Sequence, residues 1–213
     1  MAKRRTYQNV LGLSDDVLSE EFRWPRPGDK AFRTNDDYQA NAPLEKHGHA
    51  RLVLMADGYK MGADAMVAEA LGDTYKSATL VFPILFNYRH FIELSIKYTL
   101  ATYGRAVGIK PIWNTHDLIP LWNRLLEVFD AYGTEDPDDG DPIVGEIVGE
   151  FAKLDPDSFA HRYPVDTKGK LIELTMEEID LETLRDVMGA VDNFFTGVDG
   201  YLDYLRDAGS EDN

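Results

Sequence analysis

The chain has 213 residues, 44% hydrophobic and 11% aromatic, enough for one domain of ordinary size with a sizeable core and extra terminal sequence. Cysteine is absent, which removes thiol catalysis, cysteine-ligated zinc and Fe–S clusters and fits a reducing, cytoplasmic setting. The net charge of −16 comes from residues 131–213, with 22 acidic and 6 basic side chains, whereas residues 1–130 balance at 16 of each. The C-terminal part should repel a phosphate backbone, so no large nonspecific nucleic-acid surface is expected there, and a solvated acidic face is the simplest account.

The N-terminus, MAKRRTYQNVLGLSDD, starts basic but has no apolar segment behind it, which argues against a secretory signal. Residues 1–48 mix charge, proline and asparagine with little period. They read as a partly irregular extension, with Phe22, Trp24 and Phe32 as candidates to dock on a core. From about His49 apolar residues recur near helical spacing (Leu52, Met55, Tyr59, Met66, Leu71), although Gly58 and Gly62 weaken the pattern. Gly72-Asp73 ends this first helix.

The second helix is predicted from about Thr74 to Tyr103, with a kink or delayed start at Pro83 and an end at Gly104. Its run Leu80–Leu100, LVFPILFNYRHFIELSIKYTL, is long enough to span a bilayer. Arg89, Glu93 and Lys97 near its centre would each cost roughly 2.5–3.5 kcal/mol there, so a buried core helix is the better reading and no membrane partner is expected. Those three residues stand at i, i+4 and i+8 on one stripe among large apolar neighbours, which predicts a partly buried ion-paired seam. His90 lies one position off the stripe and could join it together with Asn87. The plain reading is a polar seam that fixes helix register; the functional one is a pocket for a nucleotide or an RNA phosphate.

Asn114 or Thr115 is placed to cap a third helix, with Asp117 in its first turn. Leu118, Leu121, Trp122, Leu125, Leu126 and Phe129 give that helix its apolar stripe. The acidic turn GTEDPDDGDP precedes a fourth helix over about 143–154. An irregular connection follows, carrying His161, Arg162 and Tyr163, an Arg and a Tyr in a loop being more suggestive than on a solvated helix face. The run LIELTM could form a small strand pair. The fifth helix starts near Asp180-Leu181 and keeps its stripe to Leu205, before a frayed tail at 208–213. No repeat and no strand–helix alternation occurs, so the expected fold is all-α: an antiparallel up-and-down bundle of four to five helices over 49–207.

Two metal ideas fail. His47-Gly48-His49 has no obvious third ligand. The acidic turn puts Asp139, Gly140 and Glu146 at calcium-loop offsets, but Glu135 and Pro137 occupy positions such a loop reserves for other ligands. No metal and no cofactor is expected, and no phosphate-loop, dinucleotide, hydrolase-elbow or zinc-protease motif is present.

YRHFIELSIKYTL, THDLIPLW and HRYPVD, in that order on predicted helices, resemble the HEPN superfamily (higher eukaryote and prokaryote nucleotide-binding domains), over roughly residues 50–207. The resemblance implies a helical bundle, commonly a homodimer, of the kind found in toxin–antitoxin pairs, phage defence and RNA processing. Active members are metal-independent RNases that carry Arg, about four to six residues, then His on the last helix, the imidazole moving a proton and the guanidinium steadying phosphorane charge. Here the last helix has Arg185 and Arg206 but no histidine, and no Arg in the chain is followed by His at that spacing.

The expectation is therefore a non-catalytic domain that binds a nucleotide, RNA or a partner protein. Its binding residues would be Asn87, Arg89, His90, Glu93, Lys97, His116, Asp117, Arg162 and Tyr163. The first alternative is an RNase with a displaced site drawn from Arg89, His90, His116, His161 and Arg162. The second is a structural or regulatory subunit whose acidic half docks a basic partner.

Overall fold

A computed structural model describes residues 25, 27–154, 164–165, 168–174 and 176–211. The chain divides into two units, Met1–Leu44 and Glu45–Asn213. In the first, the described residues form a polar loop closed by a 3-10 turn, Tyr38–Ala40. Asp37 caps the turn by accepting from Gln39 N, and Asn41 Nδ2 donates to the Asn35 carbonyl at 2.7 Å. Phe32 is 97% exposed. Phe22 and Trp24 lie outside the described residues.

The described residues of the second unit form an all-α bundle of five α-helices: α1 (Gly48–Ala70), α2 (Thr74–Tyr103), α3 (Leu118–Tyr132), α4 (Gly140–Leu154) and α5 (Leu181–Glu211). Among the described residues no helix is long and apolar enough to cross a membrane. The run LIELTM makes no strand pair there; a single antiparallel bridge joins Val165 to Leu171.

α1 and α2 form an antiparallel hairpin across Leu71–Asp73, where the Asp73 carboxylate caps α2 by accepting from Lys76 N. Contacts run backwards along the pair: Ser77 Oγ donates to the Ala70 carbonyl, Tyr88 OH to Asp64, and the His49 ring lies on Tyr98. Pro83 sits inside a continuous α2, on its exposed side, so the bond its missing N–H forfeits is one that solvent can replace. Beyond it α2 is buried on nearly every side. Ile84, Tyr88, Ile92, Ile96 and Leu100 are wholly covered, which explains why the segment reads as an unbroken apolar run.

The connection after α2 does not simply turn over. Gly104 opens a 3-10 turn, Ile109 N donates to the Gly104 carbonyl at 2.8 Å, and the chain then returns along α2. α3 therefore begins beside the middle of α2 and ends beside its C-terminus, where Tyr132 OH donates to the Tyr103 carbonyl. α4 starts at Gly140 rather than Ile143, because both oxygens of Asp136 accept from the backbone N–H groups of Gly140 and Asp141. α3 and α4 pack closely enough that a Cβ on Gly145 would lie 2.9 Å from Trp122 Nε1. Leu121, Leu125, Val128, Val148, Met188, Val191 and Leu202 complete the core.

Candidate functional site

The stripe predicted on α2 is a buried ion cluster centred on Glu93. Arg89, Glu93 and Lys97 are 1%, 1% and 5% exposed, so the cluster is fully rather than partly covered. One helical turn either side of a carboxylate places a cation within reach of it. Lys97 Nζ donates to Glu93 Oε1 at 2.8 Å, and Arg89 NH1 approaches Oε2 at 3.4 Å. A third group arrives from the returning connection: His116 Nδ1 lies 2.9 Å from Glu93 Oε1, with two thirds of its side chain in solvent.

The cations also reach past the carboxylate. Arg89 NH2 donates to the His116 carbonyl at 2.7 Å, and Lys97 Nζ donates to the Thr115 carbonyl at 2.8 Å. Both long side chains of α2 thus hold the backbone of the segment that opens α3. That segment is shaped to receive them. Thr115 Oγ1 accepts from Asp117 N at 3.0 Å, and the Asp117 carboxylate then accepts from Ile119 N at 3.1 Å. Asp117 is therefore the cap of α3, in place of Asn114 or Thr115, because the Thr115 hydroxyl is used one step earlier to bend the chain.

Burial alone would push the Glu93 carboxyl up, but hydrogen bonds from Lys97 and His116 hold it below its usual range, so it is anionic. His90 sits beside the cluster with Nδ1 3.9 Å from Glu93 Oε2. Its ring meets Tyr59 edge-on at 4.4 Å and stacks on Phe86 at 5.6 Å. Burial lowers its imidazole, Glu93 pulls it up, and the neighbouring cationic groups push it down again; the balance keeps it below its ordinary value.

Asn87 does not join the cluster. It faces α1, where a Cβ on Gly62 would lie 3.2 Å from its Nδ2. Six residues along a helix rotate a side chain by about 600°, which leaves Asn87 about 120° away from Glu93. His161, Arg162 and Tyr163 lie outside the described residues. The recess of α3, α4 and α5 lined by Phe129, Asp141, Phe194 and Tyr201, and the polar groove of Lys60, Arg185 and Asn193, include none of Arg89, His90 and His116.

Two further polar networks lie outside the predicted seam, and of their contacts Lys60–Asp64, at i and i+4, is the one that helical spacing signals. Tyr88 OH donates to Asp64 Oδ1 at 2.7 Å while Lys60 Nζ donates to Asp64 Oδ2 at 2.7 Å, tying α2 to α1. Tyr103 OH donates to Asp199 Oδ1 at 2.7 Å, and Arg206 lies over the Tyr103 ring, tying α2 to α5. Burial raises both phenols, and the adjoining carboxylates raise them further. Among the described residues no group of three or more His, Asp or Glu is placed to hold a metal ion.

Chemically, the cluster is one carboxylate shared by a guanidinium, a lysine amine and a solvent-facing imidazole, with N–H groups of Arg89 and Lys97 directed at carbonyls of the same chain. Comparison with models of known families, with curated proteins and with solved structures yields no match.

Proposed function

We propose that the chain is a non-catalytic helical binding domain of the HEPN kind, acting as a homodimer through its long helices. Its ligand would be a nucleotide, RNA or a partner protein, in a prokaryotic defence, stress or toxin–antitoxin role. One observation carries the non-catalytic part. Arg89 and Lys97, the cations that a phosphate site on α2 would need, are buried and directed at Glu93 and at the carbonyls of Thr115 and His116. Cations buried on these acceptors are not presented to a phosphate arriving from solvent. The test is incubation of the purified chain with single-stranded and hairpin RNA in the presence of a chelator. Intact RNA is the expected outcome; cleavage that His90→Gln or His116→Gln abolishes would overturn it.

The RNase alternative has one observation in its favour: His90 and His116 both adjoin Glu93, so two imidazoles border one carboxylate. The same two variants decide it. The acidic-subunit alternative rests on the 22 carboxylates of residues 131–213. Salt-sensitive capture of a lysine-rich peptide, with no retention of RNA, would favour it over nucleotide binding.

A further inference from the structure

Between Glu93 and Asp117 the chain changes character. Residues 94–116 include no Asp or Glu, in a sequence that has 38 of them. The connection from α2 to α3 lies in this stretch, and its residues divide by face. Val107, Ile109 and Ile112 pack against the core, whereas Arg105, Lys110 and Trp113 are exposed. Arg105, Gly108, Ile109, Lys110, Pro111 and Trp113 together line a recess of about 410 Å³. That volume lies within the roughly 300–1,000 Å³ of small-molecule sites.

The wall residues define the chemistry this recess takes. Its surface is largely apolar, and Trp113 adds an indole that is 54% exposed and, among the described residues, meets no other ring. Among the described residues neither Arg105 nor Lys110 forms an ion pair, whereas the exposed cations Lys76, Arg124 and Arg206 are paired with Glu69, Glu127 and Asp203. The connection is also held at both ends. Ile109 N donates to the Gly104 carbonyl, and Lys97 and Arg89 hold the carbonyls of Thr115 and His116. An aromatic plane and two uncommitted cations are thereby presented on anchored backbone, which lowers the ordering cost of binding. A nucleobase offers the indole a π-face whatever its identity, and its phosphate offers oxygens to the guanidinium and the amine. A run of carboxylates would satisfy the cations but leave the indole uncovered.

We infer that the connection between α2 and α3 is a binding site for a nucleobase with its phosphate, the base stacked on Trp113 and the phosphate held by Arg105 and Lys110. The inference rests on the nucleotide-or-RNA reading proposed above and gives that ligand a place apart from the buried Glu93 cluster. Two cations meet one or two phosphates rather than a long backbone, which suits a chain of net charge −16. The base belongs to a free nucleotide or to a single strand; a duplex, whose bases are already stacked on one another, does not fit. Affinity for a short strand falls in the range of about 1–100 µM.

The test is fluorescence anisotropy of a 5′-fluorescein-labelled octauridylate titrated with the full chain to about 200 µM in low salt, the range set by the expected affinity. Trp113→Ala weakens binding roughly five- to 150-fold, the span of one lost stacking contact, and Trp113→Phe, which keeps a ring, stays within about threefold of the parent. Arg105→Ala combined with Lys110→Ala makes the slope of log affinity against log salt shallower by about 1.4, the share of two phosphate contacts on a single strand. All three positions are exposed or at the rim of the recess, so the circular dichroism spectrum is unchanged. AMP that displaces the probe as well as unlabelled octauridylate does assigns the free nucleotide; displacement by the strand alone assigns RNA, and either supports the site. Binding that survives Trp113→Ala and the double variant overturns this site and leaves the nucleotide-or-RNA reading standing. Displacement by octaglutamate as effective as by octauridylate overturns it in favour of an acidic peptide. A parent chain that binds neither octauridylate nor AMP at 200 µM overturns both the site and the nucleotide-or-RNA reading.

Discussion

Lys97 Nζ stands 2.8 Å from Glu93 Oε1 and 2.8 Å from the Thr115 carbonyl, so a single ammonium closes an intrahelical ion pair and fastens the next helix's entry to α2. The pair is a junction between secondary structure and tertiary connection. Its energetics follow from burial: removing one member leaves the others charged, covered and short of a partner.

Glu93→Gln should therefore be among the most destabilising polar substitutions in the chain. Arg89 and Lys97 would remain buried without a counter-charge, costing about 3–5 kcal/mol. Lys97→Ala should fall in the same range. His116→Ala, which removes a contact that is largely solvated, should cost under about 1 kcal/mol. Urea unfolding of the three variants, followed by circular dichroism, gives the ranking; equal losses for all three would contradict it.

The two shifted groups of this cluster both make the fold acid-sensitive. Glu93 is held below its usual range, so its contribution is present above the unfolded carboxylate value and is lost as pH falls through the folded one. His90 is also lowered, so it stays neutral in the fold while the unfolded chain takes a proton below about 6.5; stability falls with pH from there downward. His90→Phe keeps a ring against Tyr59 and Phe86 and cannot charge. Between pH 7 and pH 5 its melting temperature should fall less than that of the parent chain.

Asp141 behaves in the opposite sense. Burial, with Asp136 and Asp130 nearby, pushes its carboxyl up to about 6. The unfolded chain ionises first, so this group lowers stability as pH rises from about 4 to about 6. Asp141→Asn should stabilise the chain at pH 7.5 by on the order of 1 kcal/mol after allowance for solvent screening, and by nothing at pH 3.5. Thermal melts at the two pH values make the comparison.

Gly104 tests the turn that sends the chain back along α2. A Cβ there would lie 2.6 Å from the Ile109 carbonyl oxygen, closer than any packing tolerates. Gly104→Ala should cost about 1–3 kcal/mol by overpacking, whereas Gly108→Asn, in open space at φ 78°, should cost less. Differential scanning fluorimetry separates the two.

Most of the helices were legible because burial imposes a period. The stripe of α3 and the seven-turn stripe of α5 each bury one face, and α2 announced itself by having apolar residues on every side. The seam of Arg89, Glu93 and Lys97 was also readable, since i and i+4 neighbours share a face whatever the fold. What it grips was not. The acceptors are the main-chain carbonyls of Thr115 and His116, and a carbonyl is the same at every residue, so no pattern of residue types marks it. The cap of α3 was misplaced for a related reason: Thr115 and Asp117 can both cap, and only the bend at Thr115 assigns the role to Asp117. Asn87 was grouped with the seam by proximity along the chain, which helical rotation contradicts.

The returning connection has a consequence for how this molecule can vary. Arg89 and Lys97 secure oxygen atoms that every residue possesses, so these two hydrogen bonds call for no particular side chain, while the Thr115 hydroxyl sets the bend and the His116 ring meets Glu93. Exposed groups beside these two residues can differ while the anchorage stays put. A bundle arranged this way can present altered chemistry at the mouth of α3, by single substitutions, from an unaltered frame.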